Sequence, residues 1–205
     1  MQRMRSGTTR LGCDGTERPS LSRILLLVLI ELVCSLFAPL MAAQTRPSED
    51  DVKAAYLFDF GKFVRGPEAV AQPGDFVICV LGRDAILPVL ERITLHERID
   101  DRPVQVRHYD KAVEARGCVI VYLGRSETSR MDEDLAALKG AHALTVGDDP
   151  QFLTHGGMLQ FVLQDNRVRF EVNLDAVGRG DLRLSSELLR VAASVLGTPR
   201  GEVPR

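Results

Sequence analysis

Residues 158–174, MLQFVLQDNRVRFEVNL, limit what this chain can fold into more than any other stretch. Two runs rich in Val, Leu and Phe flank Asp165-Asn166. Both turn residues tolerate positive φ, so the segment predicts a β-hairpin with a two-residue turn. Such a turn fixes the register. Gln164 faces Arg167, Leu163 faces Val168, Val162 faces Arg169, Phe161 faces Phe170, Gln160 faces Glu171 and Leu159 faces Val172. Side chains alternate along a strand. One face therefore carries Leu159, Phe161, Leu163, Val168, Phe170 and Val172, and must cover a core. The other carries Gln160, Val162, Gln164, Arg167, Arg169, Glu171 and Asn173, and is open to water or to a partner. Arg169 and Glu171 can pair with each other on a solvated surface. On a docking surface, Gln160, Arg169 and Glu171 are the partner-binding candidates.

The rest of the apolar pattern builds the core. VKAAYLFDFGKFV at 52–64 has Val52, Tyr56, Phe60, Phe63 and Val64 at helical spacing, widened by Leu57 and Phe58. Lys53, Asp59 and Lys62 break the stripe, and Gly66-Pro67 ends the helix. FVICVL at 76–81 and CVIVYL at 118–123 are continuous apolar runs, as expected of strands buried on both faces of a parallel sheet. Residues 103–109 alternate as a strand, and 143–146 form a shorter one. Helices are expected at 86–93 and at 131–138, the latter with Glu133 and Lys139 outward. Two more are expected at 175–177 and 185–196. Ser185 would cap the last of these, with Leu188, Ala192, Val195 and Leu196 facing inward. Strands alternate with helices from 76 to 146, so the fold class is α/β. The expected architecture is a three-layer sandwich with a mostly parallel sheet and the C-terminal antiparallel hairpin at its edge.

The N-terminus reads as an address. Arg3, Arg5, Arg10, Arg18 and Arg23 precede an apolar run from Ile24 to Leu40 that Glu31 interrupts, and Ala42-Ala43 follow. This pattern predicts a signal peptide over 1–43 with cleavage near Ala43 and export to the periplasm, the alternatives being a retained membrane anchor or lipidation at Cys34. A polar linker, 44–51, leads to one domain, 52–197, and a frayed tail, 198–205. Without residues 1–43 the chain holds 21 basic and 25 acidic side chains, a net of −4. No basic stripe is left to hold a phosphate backbone, so nucleic acid is not an expected partner. Cys13 and Cys34 go with the leader, and Cys79 and Cys118 remain of the four cysteines. An even pair in an oxidising compartment suggests a disulfide, the alternative being two buried thiols.

Catalytic patterns are missing from the sequence. Leu81-Gly82-Arg83-Asp84 ends the first buried strand with one glycine, not GxGxxG, and no GxSxG or Walker loop follows. His96, His108, His142 and His155 are scattered without metal-ligand spacing. Asp148-Asp149 reads as a solvated pair before Pro150, and Gly156-Gly157 as turn geometry. No catalytic residue, cofactor or metal is therefore expected. The strand-end loops Gly82–Asp84 and Gly147–Asp149 leave a second reading open, that of a small-ligand binding protein or sensor.

Four blocks carry a resemblance: VKAAYLFDFGKFV at 52–64, FVICVLGRD at 76–84, LTVGDDPQFLTHGGMLQFVLQDNRVRFEVNLDAV at 144–177 and LRLSSELLRVAASV at 182–195. They resemble the YfiR family of periplasmic regulatory proteins, and the third block is the most specific. Cys79 and Cys118 are similar to a disulfide pair of that family. A second cysteine pair found near the hairpin in some members is absent here. The resemblance implies a non-enzymatic periplasmic regulator that binds and represses the sensory domain of an inner-membrane diguanylate cyclase or similar sensor. Control of cyclic di-GMP and biofilm would follow. It also implies an outer-membrane lipoprotein as a second partner. Self-association into a homodimer is a further expectation.

Overall fold

The structure is a computed structural model that describes residues 47–66 and 74–198, together with Ser22, Leu25, Leu26 and Leu29. Those four are helical and exposed, and belong to a separate unit ending at Arg46. Apart from those four residues, the expected signal peptide lies outside the described residues, as do its cleavage near Ala43, Cys13, Cys34, Pro67 and the tail beyond Thr198. Among the described residues no helix is long and apolar enough to cross a membrane.

The unit from Pro47 onward begins with helix α1 (Glu49–Phe63). The helix starts three residues before the expected Val52 because Ser48 caps it. The Ser48 hydroxyl accepts from the Asp51 amide at 3.1 Å, and the Asp51 carboxylate accepts from the Ser48 amide at 3.0 Å. Strand β1 (Val64–Arg65) follows, then β2 (Phe76–Leu81), α2 (Ile86–Thr94), β3 (Arg98–Ile99) and β4 (Arg102–Tyr109). A 3-10 turn (Ala112–Gly117) leads to β5 (Ile120–Leu123), and a second (Arg125–Arg130) to α3 (Met131–Ala137). The chain closes with β6 (Leu144–Gly147), β7 (Leu159–Gln164), β8 (Arg167–Asn173), α4 (Leu174–Arg179), β9 (Arg183–Leu184), α5 (Ser186–Val191) and β10 (Ser194–Leu196).

Eight strands form one sheet in the order β10-β8-β7-β6-β5-β2-β4-β3. Its pairings are parallel except β7 with β8 and β3 with β4. The hairpin has the expected register at every pair from Leu159↔Val172 to Gln164↔Arg167. Asp165 and Asn166 sit at φ of 50° and 56°, the left-handed pair that such a turn requires.

Strand β2 shows why the layers are three. Phe76, Ile78 and Val80 enter one core, with residues of α1, α2, α4 and α5. Val77, Cys79 and Leu81 enter the other, with the first 3-10 turn, α3, Phe152 and Leu153. A strand covered on both sides has no polar position to spare, hence its unbroken apolar run. Phe60 of α1 covers the hairpin's apolar face. Its ring lies 4.9 Å from Phe170, edge to face, and 5.9 Å from Phe161, stacked. Each such pair adds about 1 kcal/mol to the burial of its rings. Cys79 and Cys118 are bonded, with Cα atoms 6.0 Å apart, inside the second core.

Three expectations need correction. The helix expected over 185–196 ends at Val191, and residues 194–196 form β10, which pairs parallel with β8 at the end of the sheet. Val195 and Leu196 are accordingly exposed rather than inward, while Leu188 is buried and Ser185 caps as expected. Leu163, assigned to the apolar face, is 62% exposed because the hairpin tip runs past the residues that α1 covers. Lys53, expected to break the helix's buried stripe, is itself buried.

Candidate functional site

Two places on this scaffold could act on other molecules. The first is the carboxyl end of the parallel strands. The chain leaves β2 for β4 on one side and returns to β5 on the other, so the order switches between β2 and β5. Ligands of open α/β sheets bind outside such a switch point. The loops after β2, β5 and β6 bring Asp84, Arg125 and Asp148 there, and α1 adds Glu49, Asp50 and Lys53.

Asp148 is the centre of this group. It is 8% exposed, and one oxygen accepts from Lys53 Nζ at 2.7 Å and from Arg125 Nε at 2.9 Å. Lys53 also meets Glu49 at 2.5 Å. Burial alone would lower the Lys53 pKa, but the hydrogen bonds to Asp148 and Glu49 outweigh it and hold the ammonium above its ordinary value. The pair with Asp148 likewise raises Arg125. Asp84 takes the Ile86 amide at 3.0 Å and the Tyr122 hydroxyl at 3.3 Å. Burial, reinforced by the Asp84 and Asp148 carboxylates, drives the Tyr122 hydroxyl far above the usual phenol range, so it is a fixed donor. Burial and then the Asp84 charge raise Asp50.

Asp148-Asp149 is therefore no solvated pair. Asp148 is a buried ionic anchor between β6 and α1, and Asp149 accepts from Thr128 at 2.9 Å and from the Gln151 amide at 2.8 Å. Asp148 and Glu49 are paired with cations, and Asp84 is held by neutral donors. Among the described residues no group of three or more His, Cys, Asp and Glu is placed to hold a metal. A groove of about 480 Å³ lies elsewhere, between α2 and β4, and is lined by Leu95, Val104 and Val106 among others. No residue of the loops after β2, β5 or β6 lines it.

The glycines after the β6 loop have a packing role. Gly156 has a φ of 97°, which the turn needs. Gly157 and Gly147 lie against the ring of Phe152, which is fully buried, and a Cβ on either would overlap it.

The second place is the polar side of the hairpin. The first 3-10 turn, α3 and the 151–156 turn bury residues of β2 and β5, but no β7 or β8 side chain joins that core. Val162, Arg169 and Glu171 are half-buried there, and Gln164 and Arg167 are exposed. Ser194 and Leu196 of β10, in register with Glu171 and Asn173, extend the same face. Exposed Val191 and Leu196 border it. The described residues thus leave an open sheet face, polar at its centre and apolar along one margin.

The three candidate residues separate on this face. Gln160 is 5% exposed, and its side-chain carbonyl accepts from the Leu153 amide at 3.2 Å. It is a buried link between β7 and the preceding turn, because that turn folds over the base of the hairpin. Arg169 does not pair with Glu171. It donates to the Val191 carbonyl at 3.2 Å, tying β8 to the end of α5. Glu171 has no hydrogen-bonding or ion-pairing side-chain partner among the described residues, and stands half-buried on the open face.

The family profile described as YfiR/HmsC-like matches residues 50–193. No curated protein matches the chain. Among solved structures, a conserved domain protein from Vibrio cholerae O1 biovar El Tor is similar in fold, with a TM-score of 0.52 at 9% identity. The match covers 72% of this chain and 60% of that one, so this chain spans about three fifths of its length. The ABC domain in complex with L-Trp from Streptococcus pneumonia has a TM-score of 0.42 at 8% identity, over 58% of this chain and 55% of that one.

Proposed function

The chain belongs to the YfiR/HmsC-like family, and from this we propose that it is an exported, non-enzymatic regulator of a membrane signalling protein. It acts in the periplasm, after loss of residues 1–43. Its target is the periplasmic domain of an inner-membrane diguanylate cyclase or a similar sensor, which it holds inactive. Cyclic di-GMP and biofilm formation rise when it lets go. An outer-membrane lipoprotein is a second partner, one that withdraws it from the target.

The observation that supports docking is the open face of β7, β8 and β10. It joins a half-buried Glu171 and an exposed Arg167 to a margin of exposed Val191 and Leu196. Apolar anchors beside polar groups are the makeup of a protein interface. The strand-end loops favour a ligand less, because Asp148 is already held by Lys53 and Arg125.

The test is capture of partners from detergent-solubilised membranes on the immobilised mature chain, with Glu171→Lys run beside it. A membrane protein with a periplasmic domain, retained by the wild type and reduced at least tenfold by the variant, is the expected result. Equal retention by both would remove this face from the proposal. Capture of no membrane protein by either would remove the regulatory role.

A further inference from the structure

On the layer that holds the disulfide, two acids are buried together. Glu127, in the 3-10 turn after β5, and Asp134, in α3, are 7% and 4% exposed. Arg130 lies 2.6 Å from Glu127 Oε2 and 3.9 Å from Asp134 Oδ1, and also donates to the Asp110 carbonyl. One half-exposed guanidinium therefore serves two buried carboxyls. The Ser126 hydroxyl donates to Glu127 Oε1 at 3.0 Å. Glu127 and Ser126 crowd the turn at Gly82, where any Cβ would overlap them.

Asp134 Oδ2 is buried with no hydrogen-bond partner among the described residues. Glu127 shares Arg130 with Asp134, and its charge adds to burial in raising the Asp134 carboxyl. Two ionised carboxylates have no donor to offer each other, so a buried Asp134 oxygen without a partner is satisfied only if the group carries a proton. A proton also removes the second buried charge, which one shared guanidinium does not offset.

The other charged groups around α3 do not supply that offset. Asp132 and Glu133 lie on the helix itself. Lys111 precedes the first 3-10 turn, which carries Glu114 and Arg116, and Arg116 is bound to the Ala137 and Lys139 carbonyls. His155 meets Asp132 at 2.6 Å, at the start of the helix. Burial, opposed by Arg130 and reinforced by Glu127 and Glu133, moves the Asp134 carboxyl up to about 6.

We propose that Glu127 and Asp134 form a one-proton site, and that release of the proton to solvent loosens residues 125–137 from the ends of the strands. The proton leaves the Asp134 carboxyl, and the pair then carries two negative charges against Arg130. Arg125 starts the same segment and is bound to Asp148, so the loosening reaches the ion pair that ties β6 to α1. None of this involves the hairpin face, so the site stands or falls independently of the proposed partner.

The experiment is made on the full chain. Carboxyl-carbon NMR of labelled wild type should show Asp134 titrating with a midpoint near 6, well above the ordinary aspartate range. Hydrogen exchange, corrected for its intrinsic pH dependence, should show protection of 127–137 falling about tenfold between pH 5 and 7.5. That ratio follows from a carboxyl titrating at about 6 when packed and 3.8 when released. Asp134→Asn and Glu127→Gln should each abolish the fall, and His155→Gln should keep it. The NMR midpoint needs no variant, so it decides the matter even where a variant folds poorly. A midpoint near 4, a wild type with no fall, or a fall that only His155→Gln removes would overturn the proposal.

Discussion

Asp148 is the most informative residue to remove. In Asp148→Ala, Lys53 loses a charged hydrogen bond of 2.7 Å in a buried setting and keeps only Glu49, whose side chain is 46% exposed. Hydrogen bonds to charged groups contribute roughly 1.5–3 kcal/mol, and an uncompensated buried charge adds to the loss. Arg125 is 72% exposed at its side chain and re-solvates, so its share is at most about 1 kcal/mol. Asp148→Ala should therefore cost about 3 kcal/mol, and Arg125→Ala less than about 1. Removing both buried charges, in Lys53→Met with Asp148→Leu, should bring stability back to within about 1 kcal/mol of wild type, because neither ion is then desolvated. Equilibrium urea unfolding of the oxidised chain measures all four. The sign of the pH dependence is fixed too. The Lys53 pKa is raised in the fold, so its contribution is complete below the ordinary lysine value and is lost only as pH rises through the higher folded one. The cost of Asp148→Ala should be level from about pH 7.5, where the Glu127–Asp134 site has already lost its proton, to about pH 9. A cost under about 1 kcal/mol, or one equal to that of Arg125→Ala, would refute the assignment of Asp148 as a buried anchor.

Other perturbations have equally definite outcomes. Gly147→Ala drives a Cβ into the Phe152 ring and should destabilise by about 1–3 kcal/mol in thermal melts, partly relieved by Phe152→Leu. Thiol labelling of denatured, unreduced mature chain should find neither Cys79 nor Cys118 free. Their bond spans a sequence separation of 39, so Cys79→Ser with Cys118→Ser should lower unfolding free energy by roughly 4 kcal/mol. Ser48→Ala removes one side of the capping box and should cost about 1 kcal/mol, read from the same urea curves.

The hairpin was legible because its information is local. Alternation sets the faces, and Asp165-Asn166 sets the turn, with no distant residue needed. The buried strands were legible for a related reason, since covering both faces forces unbroken apolar runs. Asp148 was misread because its partner Lys53 lies 95 residues away, and no spacing links them. Gln160 was misread because alternation gives the side of the sheet but not what covers it, and the 151–156 turn folds back over it. Strand β10 has three residues, too few to show a period against the helix before it. The Glu127–Asp134 pair gave no signal at all. Both look like surface acids until the 3-10 turn places one on Gly82 and α3 brings the other beside it.

The central claim, repression of a cyclic di-GMP source by this chain, is tested most directly in cells. Cyclic di-GMP should be quantified in the wild type, in a strain lacking the protein, and in that strain complemented with wild type or with Glu171→Lys. The level should rise several-fold on loss, return with the wild-type chain, and stay high with Glu171→Lys exported in equal amount. An unchanged level on loss, in cells whose wild type exports the folded protein, would contradict the claim.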